Sequence, residues 1–428
     1  ATAEHEFSYS HELSLHIFGL ADLGAWRGMS ILKPFSRVTS SGRYVPEIDG
    51  LRCLAIGLVL LFHAHHLFLG GWEPLGQEAL LASEPAVFLT QLPNFFIAKG
   101  WFGVQIFFVI SGMVLALPYA GHYLRGSQKP ELKRYFRRRL VRIELPYLIA
   151  LTFFYVTGVL YYGGNWSDNL PNYLAGLIYS HTAFYDGALN PILTVSWTLE
   201  IEIQFYLMAP FLCRIFALSR PMVRRSALVG LILISNEFAG WANQLIPSNA
   251  WGHSLVGQLS YFLVGLLLAD LYLSYWQNRA PQQKQALLWD GIGLVAWPAV
   301  FFLMGRTAVN WSPFLLLLGF AAVLRGHFLR RIFSNAWVCA VGTMCYTIYL
   351  FHSFVFYGIL CPYVFGPLIP ITGGNWPFNY LMIVIFCLTA IVICAGIFLV
   401  VEKPFAQGRL PWKKYPPRPA KKPTPPLD

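Results

Sequence analysis

Charged side chains are scarce in this sequence. Asp, Glu, Lys and Arg make up 12% of its 428 residues, about half the share of a soluble globular domain. That scarcity excludes an ordinary water-soluble fold. The hydrophobic residues, 56% of the chain, fall into runs close to the ~20 residues that cross a bilayer as a helix. Short strands of alternating polarity, the mark of a membrane β-barrel, are lacking. The seven cysteines (Cys53, Cys213, Cys339, Cys345, Cys361, Cys387 and Cys394) make no CxxC pair with a matching partner and lie almost all in apolar runs. They read as small buried apolar residues, neither a metal site nor a disulfide framework. The chain opens on Ala1 and a polar stretch with His5, His11 and His16. With no basic segment and short apolar core at the start, it does not read as a cleavable signal peptide. No internal repeat is evident, which weakens a transporter built from inverted halves.

What is present reads as an all-α membrane protein, a bundle of about ten transmembrane helices. The expected spans are near 53–69, 100–118, 142–162, 194–217, 226–246, 253–276, 287–305, 310–326, 338–361 and 378–401. The eighth is short and would need local thinning or a re-entrant shape. Net charge is +11, and its distribution tests the list. With residues 1–52 in the cytoplasm, loop 119–141 gathers Arg125, Lys129, Lys133, Arg134, Arg137, Arg138 and Arg139 on the inside. Of the 31 basic residues, only Lys99 and Arg306 fall outside. The positive-inside rule is thus met with both termini cytoplasmic. The charge reads as a topology signal, with no nucleic-acid partner. Residues 1–45 form an N-terminal cytoplasmic extension, 46–406 the transmembrane domain, and 407–428 a Pro- and Lys-rich tail expected to be disordered. Two substantial outside loops are expected, about 70–99 and about 163–193, and loops of that length often carry function.

Within this apolar chain a few polar residues stand out. Arg52 and His63 are eleven positions apart. At 3.6 residues per turn their side chains share a face, with His63 about 16 Å further along the axis. Arg52 then sits at the cytoplasmic edge and His63 past the middle of the span, with His66 continuing the stripe. A boundary arginine can simply snorkel, whereas a histidine that deep reads as functional. In the second span Gly100, Gly103 and Gly112 permit close helix approach, and Ser111 offers a hydroxyl. "KRYFRRRLVRIELPY" sets Arg137, Arg138, Arg139 and Arg142 at the mouth of the third span. Topology explains most of that charge, and guanidinium forks also suit phosphate. "SWTLEIEIQFYLMAP" carries Trp197, Glu200 and Glu202. The two carboxylates face different ways, so one can line a cavity while the other reaches the interface. At least one is expected to pair with an arginine or histidine. "CYTIYLFH" puts Cys345, Tyr349 and His352 on one stripe, and "VEKPF" ends the tenth span with Glu402 beside Lys403.

In this order, the segments resemble the acyltransferase-3 family of integral membrane acyltransferases across about residues 46–406. "EIDGLRCLAIGLVLLFH" is similar to the family's opening motif, an Arg and a His with ten residues between them. "GVQIFFVISGMVL" resembles its glycine-rich second helix and "YFRRRLVRIELPY" its arginine-rich third. "SWTLEIEIQFYLMAP" aligns Glu202 with the family glutamate, and "YTIYLFH" and "VEKPF" resemble the closing helices. The resemblance implies a ten-helix bundle in a membrane, expected to be the bacterial cytoplasmic one. It implies transfer of an acyl group, by default acetyl, from cytoplasmic acyl-CoA to a hydroxyl on the far side. Envelope polysaccharide, lipid-linked glycan, peptidoglycan and small secreted molecules are all open as acceptors. Some members fuse an SGNH-type domain to the C-terminus. This chain stops after a short tail, so transfer is expected to finish in the membrane domain.

On that reading Arg137, Arg138, Arg139 and Arg142 hold the CoA phosphates, and no metal is expected. His63 deprotonates the acceptor hydroxyl, Arg52 holds a phosphate or the thioester end, and Glu202 or His352 orients His63 or the acceptor. Ser111, His66 and Trp197 are the expected substrate-binding residues. A covalent relay through His63 or Ser111 is the alternative route. Two other classes compete with the enzyme: a proton- or ion-coupled transporter using the Arg, His and Glu relay, and a scaffold for polysaccharide export.

Overall fold

The structure is a computed structural model that describes residues 30–35, 44–69, 77–139, 143–245, 248, 250–277, 279–303, 310–365 and 376–406. Most of the expected N-terminal extension and the whole of the expected tail lie outside these residues. Among the described residues every regular element is helical. The principal helices are α1 (Pro46–Leu69), α2 (Gly103–Arg125), α3 (Leu145–Tyr162), α4 (Trp197–Leu212), α5 (Pro221–Leu245), α6 (Leu255–Leu271), α7 (Gln283–Leu303), α8 (Ser312–Arg325), α9 (Cys345–Ser353) and α10 (Trp376–Val400). Six helical stretches among the described residues are long and apolar enough to cross a membrane: Pro46–Phe68, Gly100–Arg125, Leu255–Trp276, Gln283–Leu303, Cys345–Val364 and Phe378–Val400. The other expected spans coincide with α3, α4, α5 and α8.

The bundle is organised around α1, α2 and α6. Helix α2 packs between the other two, α9 and α10 flank α1, and α5 and α8 flank α6. Small residues set these distances. A Cβ on Gly103 would lie 2.3 Å from the Ala55 carbonyl oxygen on α1, and one on Gly112 would lie 2.2 Å from that of Phe262 on α6. Only glycine lets the backbones come this close. Helix α6 is apolar over most of its surface and is buried accordingly. Helix α2 runs on past the expected end to Arg125, where Gly126 adopts φ +66° and closes it.

The expected ninth span is not one continuous α-helix. A short helix (Ala336–Thr343) breaks at Met344, α9 follows, and Phe354–Phe365 continues in π-helical geometry. Adding one residue per turn is a shift that local hydrophobic pattern does not register, and such turns recur at functional sites.

The larger departure from expectation is 163–193. This stretch is partly helical and packed against the bundle. Helix Trp166–Leu177 folds back antiparallel along α3: Tyr155 stacks on Tyr173 at 4.6 Å, and Tyr147 donates to the Gly176 carbonyl at 2.8 Å. The hairpin tip, Tyr179, stacks on Tyr147 at 4.7 Å and donates to Glu144 at 2.7 Å, back beside the start of α3. The sequence cue was Ala175 and Gly176, small buried residues that let this helix lie against Leu151 of α3.

Where α5 meets α6, Asp270 is fully buried and takes the guanidinium groups of both Arg224 and Arg225, the latter at 2.8 Å. Breaking a buried ion pair strands the remaining charge at a cost of about 3–5 kcal/mol. Asp270→Ala is therefore expected to destabilise the bundle strongly in a thermal-shift measurement in lipid nanodiscs, with Arg225→Met milder.

Candidate functional site

The site is built on the face of α1 that carries Arg52. Asp49, one turn earlier and buried, holds the Arg52 guanidinium in an ion pair and so fixes its direction. Arg52 lines a cavity of about 110 Å³ between α1, α2, α4 and α9. Its polar wall holds Ser111, Thr198, Glu202, Tyr206, Tyr346 and Tyr349, and its apolar wall includes Val104, Phe107 and Leu199. Ser111 donates to Glu202 at 2.7 Å. Tyr346 donates to the Ile143 carbonyl at 2.7 Å, and the Tyr349 hydroxyl is held by Thr198 at 2.9 Å and the Val195 carbonyl at 3.2 Å.

Further along α1, where its helical rise carries it about 16 Å past Arg52, His63 meets His352 of α9 with ring centroids 4.8 Å apart. His352 is fully buried, and its Nδ1 faces the carbonyls of Ile348 (3.1 Å) and Tyr349 (2.8 Å). The layout thus has two stations on one helix face. Near the start of α1 lies a cavity with a cation, a carboxylate and hydroxyls. Near its other end lies a pair of imidazoles.

The remaining expected residues fall elsewhere. His66 is exposed, with its ring against Phe62 at 4.9 Å. Trp197 sits at the start of α4, against His253 at 4.7 Å and outside the cavity wall. Arg137 is exposed on the short helix Leu132–Arg139. That helix is tied to the cavity's surroundings by Tyr135, whose hydroxyl donates to the Tyr206 carbonyl at 3.4 Å. The side chains of Arg138 and Arg139, and all of Arg142, lie outside the described residues.

The carboxylates divide by what they bind. Glu200 does not reach an interface. It is buried and accepts from the Thr182 backbone N–H (3.0 Å) and hydroxyl (2.7 Å). Glu402, a weak signal in sequence, is buried and accepts from the Thr347 N–H (3.1 Å) and hydroxyl (2.6 Å) in the first turn of α9. Asp290 takes three N–H groups at the start of helix Phe328–Phe333. Glu402 and Asp290 thus cap helix starts, where orphan donors and the helix dipole favour an anion. Glu202 instead takes a hydroxyl at a cavity wall. Neither Glu200 nor Glu202 takes the expected arginine or histidine in these bonds; hydroxyls fill that place.

Sequence reasoning missed Asp49, Thr198, Tyr206 and Tyr346 as site neighbours, and Tyr179 beside Glu144. Asp49 was detectable from its i, i+3 spacing to Arg52. Tyr179, at φ +54°, carries a conformation unusual for an aromatic residue, which sequence pattern does not show. Among the described residues no group of three or more His, Cys, Asp or Glu side chains is arranged to hold a metal ion.

The chain belongs to the acyltransferase-3 family, whose acyltransferase domain matches residues 45–402. It is similar to the peptidoglycan O-acetyltransferase OatA of Listeria monocytogenes, 26% identical over 347 residues, which is 73% of this chain and 49% of that protein. It is also similar to the O-acetyltransferase OatA of Staphylococcus aureus, 24% identical over 361 residues, 75% of this chain and 52% of that protein. The chain spans about half the length of these relatives. No solved structure matches it. Family and apolar helices together define an integral membrane protein.

The two kinds of carboxylate are separable by experiment. Glu202→Gln keeps an acceptor for Ser111 and is expected to change stability by less than about 1 kcal/mol. Glu402→Ala removes a buried cap and is expected to cost about 1–2 kcal/mol. Thermal unfolding in nanodiscs checks both.

Proposed function

We propose that this protein is a membrane O-acetyltransferase that moves an acetyl group from cytoplasmic acetyl-CoA to a sugar hydroxyl of an envelope glycan. The observation that carries this reading is the alignment of Arg52 and the His63–His352 pair on one face of α1, with the Ser111–Glu202 cavity beside the arginine. The names of the relatives support an O-linked acetyl product and a glycan such as peptidoglycan as acceptor.

In this reading the chain crosses the membrane about ten times with both termini in the cytoplasm of a bacterial cell. Arg137, Arg138, Arg139 and Arg142 bind the CoA phosphates through charge-assisted bonds. The pantetheine arm passes Arg52 through the cavity toward His63. There the acceptor oxygen attacks the thioester carbonyl. His63 takes the hydroxyl proton, the acyl–sulfur bond breaks as the acyl–oxygen bond forms, and the proton returns to the CoA thiolate. Glu202 and Ser111 hold the donor arm. Lipid surrounds the bundle.

Membranes containing the protein, supplied with acetyl-CoA radiolabelled on the acetyl group, test the reading. Label is expected in the glycan fraction with wild type and to fall by about 10²–10⁴-fold in His63→Ala. Arg137→Ala is expected to raise KM for acetyl-CoA. Equal labelling by a correctly inserted His63→Ala protein contradicts the role given to His63. Failure of every acyl-CoA to bind or turn over contradicts the donor.

A further inference from the structure

The His352 ring is held in a way that leaves one nitrogen with a defined task. Carbonyl oxygens only accept, so the Nδ1 that faces the Ile348 and Tyr349 carbonyls at 3.1 and 2.8 Å carries the ring proton. The neutral ring then has its lone pair on Nε2. That atom is buried and has no hydrogen-bond partner in the structure, on a residue with 0% exposure. A buried polar atom left unpaired costs stability, and packing does not require one here. Phe356 lies against the same ring at 5.8 Å, so an apolar side chain would suit its surroundings.

Nδ1 is turned back onto its own helix, and the His63 ring packs against the His352 ring with centroids 4.8 Å apart. The other titratable neighbours are His66, near His63 on α1, and Tyr349, 6.2 Å from His352 on α9 and held by Thr198. π-Helical geometry begins at Phe354, two residues after His352.

We propose that His352 is the positioning residue of the transfer step: its Nε2 lone pair receives a ring N–H of His63 when substrate is bound, which leaves the other His63 nitrogen bare toward the acceptor hydroxyl. This deepens the function proposed above and rests on His63 being its base. Hydrogen bonds of this kind are often long before substrate arrives and tighten in the complex. The second imidazole fills the place that a carboxylate holds in a hydrolase triad. A neutral partner suits an apolar helix face, where a carboxylate with no further donors would be costly. When His63 takes the acceptor proton, the resulting cation donates to Nε2, and that bond stabilises it.

The test compares His352→Phe, His352→Gln and His63→Ala in membranes bearing envelope glycan, with radiolabelled acetyl-CoA as donor. Phe keeps the ring volume without an acceptor atom, whereas Gln keeps an amide oxygen able to accept from His63. His352→Phe is expected to lower kcat by about ten- to a thousandfold with KM for acetyl-CoA within about twofold. Its rate should rise with pH at a midpoint about one pH unit lower than in wild type, because the His63 cation has lost its acceptor. His352→Gln is expected to recover most of both changes. Unchanged kcat in His352→Phe overturns the proposal, as does equal loss in Phe and Gln with no shift of the pH profile, which marks a packing role. Activity in His63→Ala overturns the parent reading instead, so the two failures are distinct. Histidine ¹⁵N NMR of the wild-type protein in bilayers provides a check without substitution: the His352 signal should show a proton on Nδ1 and none on Nε2, and the reverse overturns the proposal.

Discussion

The structure depends on one constraint: in apolar surroundings a polar group must find its partner within the protein. Most of the buried charge in this bundle obeys it visibly. Asp270 takes two arginines, Glu47 takes Arg330 at 2.6 Å, and Glu200 and Glu402 accept hydroxyls and backbone N–H groups. Each such pairing fastens one helix or loop to another. Asp270 joins α6 to α5, and Glu402 joins the end of α10 to the start of α9.

Two polar places lie along one face of α1. In the cavity, Arg52, Ser111 and Glu202 converge. Farther along the same face, the His352 Nε2 is buried without a partner beside His63. Natural sequences break local rules chiefly at functional sites. The two places also have an order along α1: cation, carboxylate and hydroxyls come first, then a pair of imidazoles. On the function proposed above, a long anionic thioester would meet them in that sequence.

Much of this was legible before the fold was known, and the reason is physical. Helical periodicity is local, so Arg52 and His63 on one face, and Cys345, Tyr349 and His352 on another, follow from spacing alone. The hydrophobic runs are equally local, and most expected spans coincide with a helix among the described residues, the ninth being broken at Met344. What escaped was long-range or conformational. Nothing near Glu200 in sequence indicates that it will bind Thr182, because the hairpin that delivers Thr182 depends on packing along α3. The π turns after Phe354 and the left-handed Tyr179 add no hydrophobic pattern of their own. His66 and Trp197 carry the right residue types but lie outside the cavity wall, since side-chain type does not say which helix face meets a neighbour.

The central claim is that one face of α1 carries the donor from the arginine mouth to the imidazole pair. A cryo-electron microscopy structure of the full chain in a nanodisc, with a non-transferable thioether analogue of acetyl-CoA, tests it most directly. The account predicts the phosphates at 137–142, the pantetheine arm in the cavity beside Arg52 and Glu202, and the thioether next to His63 and His352. An analogue bound elsewhere, or one whose sulfur stops at Arg52 and leaves the histidines untouched, would contradict it.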